Sequence, residues 1–131
     1  MKMPILSDFV VIQGDVNRRV GDGAILWEKN FPTGGHNGQY GILMLMIKGL
    51  TVAQKDVDVK INNKSVGKIF RYEGANANHW FTQIINIGPN ILKNNGTNEL
   101  QIEAVDYVGG GSDHFDDFYL RDVVCFFSQS T

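Results

Sequence analysis

The sequence holds one cysteine, three prolines and no long apolar run, and each shortage removes a class of explanation. A lone Cys125 has no partner for an internal disulfide, so no disulfide framework holds this chain together. Its setting, Val123-Val124-Cys125-Phe126-Phe127, predicts a buried, inert thiol compatible with a reducing compartment. The longest apolar stretch, Ile42 to Ile47, falls far short of the ~20 residues a membrane-spanning helix needs, so membrane insertion is not expected. Excess charge of one sign is missing too. The net charge is −2, and Arg18-Arg19 is too short for a basic patch, which argues against a nucleic-acid partner. Met1-Lys2-Met3-Pro4-Ile5-Leu6-Ser7-Asp8 lacks the apolar segment of a secretory signal. As it stands, the chain reads as cytoplasmic, or as a processed or non-classically secreted domain.

What is present describes one domain. A chain of 131 residues buries roughly 65–70% of its unfolded surface, enough to fold without a structural metal. Hydrophobic residues at 43% and charged residues at 20% place it among globular chains. Fifteen glycines beside three prolines suit many tight turns rather than a low-complexity linker.

Periodicity then gives the class. Val57, Val59 and Ile61 alternate with Asp56, Asp58, Lys60 and Asn62, as in a strand with one buried and one wet face. Asn62-Asn63-Lys64 reads as a hairpin turn into Val66, Gly67 and Ile69, because Asn tolerates left-handed backbone angles. Leu100, Ile102 and Ala104 alternate with Gln101 and Glu103 after the turn segment Asn94-Asn95-Gly96-Thr97-Asn98. Ile42 to Ile47 is apolar on both parities; its shortness and the flanking Gly41 and Gly49 favour a central strand buried on both faces over a helix. Phe9 to Ile12, Ala24 to Phe31, Trp80 to Ile87 and Phe118 to Phe127 supply further strands. The last changes phase, which predicts a β-bulge near Arg121-Asp122. Only Ile91-Leu92-Lys93 suits a helical turn. About eight strands separated by Gly- and Asn-rich turns, with no βα repeat, predict an all-β antiparallel sandwich or barrel.

The residues from Tyr40 to Phe127 resemble the galactose-binding-like jelly rolls, a group that includes many carbohydrate-binding modules. The buried strand Tyr40 to Leu50 carries part of the likeness. Val57-Asp58-Val59-Lys60-Ile61-Asn62-Asn63 with Val66-Gly67 looks like their V-x-V-x-I-N-G…V-G hairpin, with Asn63 where the family often has Gly. Leu92, Gly96, Asn98, Leu100 and Ile102 resemble L…G-x-N-x-L-x-I, and Asp116 to Val124 resembles the closing strand. The resemblance covers about two-thirds of the chain. It implies a jelly-roll β-sandwich of about eight strands filling residues 1–131, and a lectin-like, non-catalytic module that meets glycans through its end loops. The other reading is a structural or protein-interaction module, a homo-oligomeric component of a larger assembly.

Two loops carry the chemistry such a site needs. In Asp106 to Asp117 three glycines give backbone freedom, and Asp113, His114, Asp116 and Asp117 crowd oxygen and nitrogen donors together. Asp113, Asp116 and Asp117 suit a calcium ion if other loops complete its six to eight oxygens; equally, they suit carboxylates capping backbone amides. No cofactor is required, and Ca2+ is the one the residues admit. In Arg71 to Trp80, an indole platform at Trp80 stands beside Arg71, Asn78 and His79, and Tyr107 stands in the same relation to Asp113. A ring against the CH face of a sugar, with polar groups fixing its hydroxyls, is the implied contact. Trp80 also fits a core position, as does Trp27. Asp15 and Asp22 of the first long loop read as solvated carboxylates, the alternative being an approach to the C-terminal strand. His36, His79 and His114 lie in separate segments with no close ligand pair, so zinc is not expected. No nucleophile elbow, P-loop or dinucleotide fingerprint is present, so an enzyme is not expected.

Overall fold

A computed structural model describes residues 6–51, 53, 55–71, 79–106 and 115–129. Among these the chain forms β1 (Leu6–Gln13), β2 (Arg18–Val20), β3 (Leu26–Pro32), β4 (His36–Lys48), β5 (Val57–Ile61), β6 (Lys64–Ile69), β7 (Phe81–Ile87), β8 (Thr97–Glu103) and β9 (Phe118–Gln129), with no helix. Two antiparallel sheets result. One runs β1-β9-β4-β7, with β2 pairing β9 as well; the other runs β3-β8-β5-β6. β9 lies between β1 and β4, so the first and last strands are neighbours and the chain closes on itself.

The alternations of the sequence appear as the two inner faces. Leu43, Leu45 and Ile47 of β4 and Val123, Cys125 and Phe127 of β9 form one core with Val57, Val59 and Ile61 of β5 and Leu100 and Ile102 of β8. Sheets packed face to face, ~10 Å apart, need this period-2 pattern on both sides. The outer face of the four-stranded sheet is mostly polar, carrying Glu28, Asn30, Asp58, Lys60, Glu99, Gln101 and Glu103 with an exposed Leu26 at its edge.

The turn chemistry holds in detail. Asn62 and Asn63 sit at φ +54° and +66° as the two-residue loop between β5 and β6, the backbone a type I′ turn demands. Gly67 answers to a close approach instead: a Cβ there would lie 2.7 Å from Cγ2 of Ile85 in the other sheet. The bulge expected near Arg121-Asp122 is present. Asp122 has φ +50°, its N–H donates to the Gly14 carbonyl at 2.8 Å, and the pairing with β4 shifts between Met44 and Met46.

Several expectations fail for identifiable reasons. Ile42 to Ile47 is not buried on both faces. Leu43, Leu45 and Ile47 face the core, whereas Ile42 is exposed and Met44 and Met46 half-buried on an outer face that no described residue covers. The strand read as Tyr40 to Leu50 begins earlier, because His36 to Gln39 extend β4. The hydrogen bond from His36 N to Thr33 O and the His36 ring on the Ser128 carbonyl hold this stretch in place. Ile91 to Lys93 form bends, since the side chain of Asn98 takes the Lys93 N–H that a helix would use. Trp27 packs partly buried against the core as expected, while Ile25 of the same parity is exposed. β2 was invisible in the sequence: three residues are too few for a period.

Candidate functional site

β4 ends where β7 and β9 begin, because both pair antiparallel to it. The described residues that follow β4 (49–51) and precede β7 (79–80) and β9 (115–117) therefore gather at one end of the sandwich. Asn78, Tyr107, Asp113 and His114 lie outside the described residues. Arg71 and His79 flank the first undescribed stretch. Asp106 and Phe115 bridge the base of the second.

The residues that are placed divide into anchors and exposed groups. Nη1 of Arg71 donates to the Ala53 carbonyl at 2.8 Å, tying the chain after β6 to the chain after β4. Asp116 is buried, and its Oδ2 accepts the Thr51 N–H at 3.0 Å. Asp117 is exposed. Its Oδ1 accepts the Asp22 N–H at 2.7 Å and pairs with Nη1 of Arg19 at 3.3 Å. Asp22 in turn accepts the Phe115 N–H at 3.2 Å, so the first loop does approach the C-terminal strand. These carboxylates cap backbone amides of two different segments. Asp116 and Asp117 are thus engaged with different segments, and Asp113, the third residue expected of a calcium site, lies outside the described residues. Among the described residues no three His, Cys, Asp or Glu side chains group to hold a metal ion. Among the described residues at this end, Oδ1 of Asp106 and Nε of Arg121 are buried without a hydrogen-bond partner, though that Nε lies 3.4 Å from Oδ2 of Asp122.

Trp80 is on the outside. It precedes β7, is half-buried and stands apart from the core cluster, so its reading as a core residue is corrected. The Arg121 guanidinium carbon lies 4.1 Å from its ring centroid and Nζ of Lys48 lies 5.0 Å away. The same Nζ is 5.6 Å from the ring of Tyr119, which pairs with Lys48 across β9 and β4. Two aromatic rings and two cations thus share the outer face of the five-stranded sheet at its loop end. Contacts of this kind orient a cation at the cost of little of its hydrogen-bonding capacity. His79 is exposed beside them. His36 is at the far end of β4, about 40 Å away by strand length, so these two histidines do not converge.

Lys48, Tyr119 and Arg121 were not singled out in the sequence. Their signal was parity: each alternates with a core residue, Ile47, Phe118 or Leu120. For Arg121 the bulge at Asp122 hides the register.

No protein-family model matches the sequence, and no curated protein does. Solved structures do. One is dimeric latent PorU from Porphyromonas gingivalis, with a TM-score of 0.65 and 12% identity over 98% of this chain and 13% of that one. A second is the CBM36-1 domain of a multidomain xylanase from the hindgut metagenome of Trinervitermes trinervoides. Its TM-score is 0.55 at 12% identity over 95% of this chain and all of that one. A third is a family 35 carbohydrate-binding module from Clostridium thermocellum, at TM-score 0.55 and 13% identity over 92% and 98%. This chain thus spans a small part of PorU and nearly the whole of each module. At these identities the likeness establishes the fold: an antiparallel jelly-roll β-sandwich of the kind found in carbohydrate-binding modules.

Proposed function

We propose that this domain is a non-catalytic carbohydrate-binding module that takes a glycan at its loop end. The observation that carries the reading is the outward cluster of Trp80, Tyr119, Lys48 and Arg121 on a sandwich whose full-length structural neighbours include carbohydrate-binding modules. A sugar ring offers an apolar CH face ringed by hydroxyls. Trp80 and Tyr119 provide surface for the first, and Lys48, Arg121 and His79 provide donors for the second. Asn78, Tyr107, Asp113 and His114, the other ligand residues expected from the sequence, lie outside the described residues and are candidates for mutation in the same assay. A non-catalytic role is supported by the placement of the carboxylates. Asp116 and Asp117 are occupied with backbone amides, and Glu99 and Glu103 point from the outer face of the other sheet.

Screening on a glycan array, followed by titration calorimetry on the best ligand, tests the reading. Trp80→Ala should weaken binding at least ~10-fold, and Tyr119→Ala several-fold, by analogy with the ~1–3 kcal/mol that aromatic stacking platforms supply. A chelator arm tests calcium held by Asp113 and its neighbours: loss of affinity restored by Ca2+ would place the ion in the ligand site. No saturable binding at millimolar sugar, with or without Ca2+, would falsify the proposal.

A further inference from the structure

The outer face of the five-stranded sheet breaks the rule that the other sheet obeys. Phe9 is 59% exposed, Val11 55%, Ile42 41% and Ile84 64%, and with Phe126 all five lie on this one face. Strand pairing aligns them in two adjacent rows. One row is Phe9–Phe126–Ile42–Asn86; the next is Val11–Val124–Met44–Ile84. Neither row contains a charge, and seven of the eight side chains cannot hydrogen-bond through nitrogen or oxygen. A sugar laid here would lose water from its hydroxyls without finding partners, so this surface is not an extension of the proposed glycan corner.

We propose that this face is a self-association surface, and that a second copy of the chain packs on it about a two-fold axis running across the strands between the two rows. That axis sets each residue of one row over the residue of the other row on the same strand. Phe9 then covers the partner's Val11, Phe126 covers the partner's Val124, and Ile42 covers the partner's Met44. The rings of Phe9 and Phe126 therefore meet smaller valines, Ile42 meets a Met44 of similar size, Asn86 meets Ile84, and every contact occurs twice, as an isologous interface requires. The next residue outward on β4, Tyr40, faces the partner's Met46. It borders a hollow of about 210 Å³ lined by Ser7, Ile42, Phe126 and Ser128. The same axis sets Lys48 and Arg121 of one copy at the opposite end of the face from those of the other. Four strands at ~4.8 Å and four rows at ~6.8 Å project on the order of 500 Å² before side-chain relief is added, near the lower end of the ~600–1,000 Å² per partner of stable interfaces. Two apolar sheet faces stacked ~10 Å apart would repeat the packing the sandwich already uses inside.

Sedimentation of the full chain up to roughly 100 µM tests this. The wild type should sediment as a dimer. Phe126→Glu and Val124→Lys should each weaken the dimer at least ~100-fold, because each sets two unpaired charges in an apolar contact. Both sites face outward, and unchanged far-ultraviolet circular dichroism reports that the variants fold. Mixing the two variants should restore a dimer, since residue 126 of one copy meets residue 124 of the other. A monomeric wild type, or a dimer indifferent to both substitutions, overturns the proposal. So does a monomer that binds phosphatidylcholine vesicles through this face, which would make it a membrane-docking surface. Glycan titration of the monomeric variants separates the two readings, because Trp80 and Tyr119 are untouched by them.

Discussion

Replacing Asn98 with alanine should cost about 3–5 kcal/mol of stability, and the estimate follows from who loses a partner. Asn98 is fully buried and makes four hydrogen bonds. Its Nδ2 donates to the Phe31 carbonyl at 3.2 Å and to Oγ1 of Thr33 at 2.7 Å; its Oδ1 accepts from Nδ2 of Asn62 and from the Lys93 N–H, both at 2.9 Å. Asn62 keeps the Ile91 carbonyl after the substitution, and Thr33 keeps the Lys93 carbonyl. The Lys93 N–H and the Phe31 carbonyl lose the side-chain partner that Asn98 gave them. The buried Phe31 carbonyl costs ~1–3 kcal/mol, the part-buried Lys93 N–H less, and the vacated volume brings the sum to about 3–5 kcal/mol. For a domain stable by ~5–15 kcal/mol, that is a large fraction. Guanidinium unfolding followed by tryptophan fluorescence should show an earlier midpoint at unchanged slope. Asn98→Asp adds a check on sign. The new carboxylate would face the Phe31 carbonyl and be disfavoured when charged, so its folded pKa should lie above the ~3.9 of an unfolded Asp. The variant should therefore lose stability as pH rises from that value, and be least impaired in acid. A double-mutant cycle with Asn62→Ala should give a coupling of ~1 kcal/mol. A loss below ~1 kcal/mol for Asn98→Ala, or strict additivity with Asn62→Ala, would refute the view that this network clamps the sandwich end.

Three further outcomes are expected. Gly67→Val should destabilise the fold by about 2–3 kcal/mol in a denaturant titration, since its Cβ meets Ile85 at 2.7 Å; adding Ile85→Ala should recover part of that loss. Cys125 is fully buried, and desolvation raises its pKa from 9.0 to about 12, so native protein should react with Ellman's reagent at pH 8 only as it unfolds. The unfolded chain releases this proton above 9.0 while the folded chain keeps it. Stability should thus fall through pH 9–12 in the wild type and less in Cys125→Val, as shown by melting across that window. Asn63→Gly should leave the melting temperature unchanged or slightly raised, because φ +66° suits glycine at least as well as asparagine; Asn63→Val should lower it.

Much of the fold was legible because period and turn chemistry are local properties. Val57-x-Val59-x-Ile61 and Leu100-x-Ile102 fixed which faces are buried without reference to any partner strand. Asn62-Asn63 fixed a hairpin because two successive positive φ angles exclude most residues. The motif residues Asn62 and Asn98 prove to hydrogen-bond each other, which gives a physical reason for asparagine at both positions. The site was less legible. Arg71, His79 and Trp80 were visible as residue types, yet that Arg71 is an anchor and Trp80 an outward ring depends on Ala53 and Arg121, distant in sequence.

Chain order and local pattern thus determined by themselves an all-β antiparallel sandwich or barrel, its turns, its bulge and its buried thiol. Tertiary structure alone decided the direction of everything apolar on both parities. Ile42 and Met44 read as core because hydrophobicity does not say which of two faces another sheet will cover. Only the stacking of β3-β8-β5-β6 on one side of β4 and β9 makes Leu43 interior and leaves Ile42 outside. It is the same pairing that brings Trp80, Lys48, Tyr119 and Arg121 into one corner, where the aromatic platform first inferred from a single tryptophan gains its neighbours.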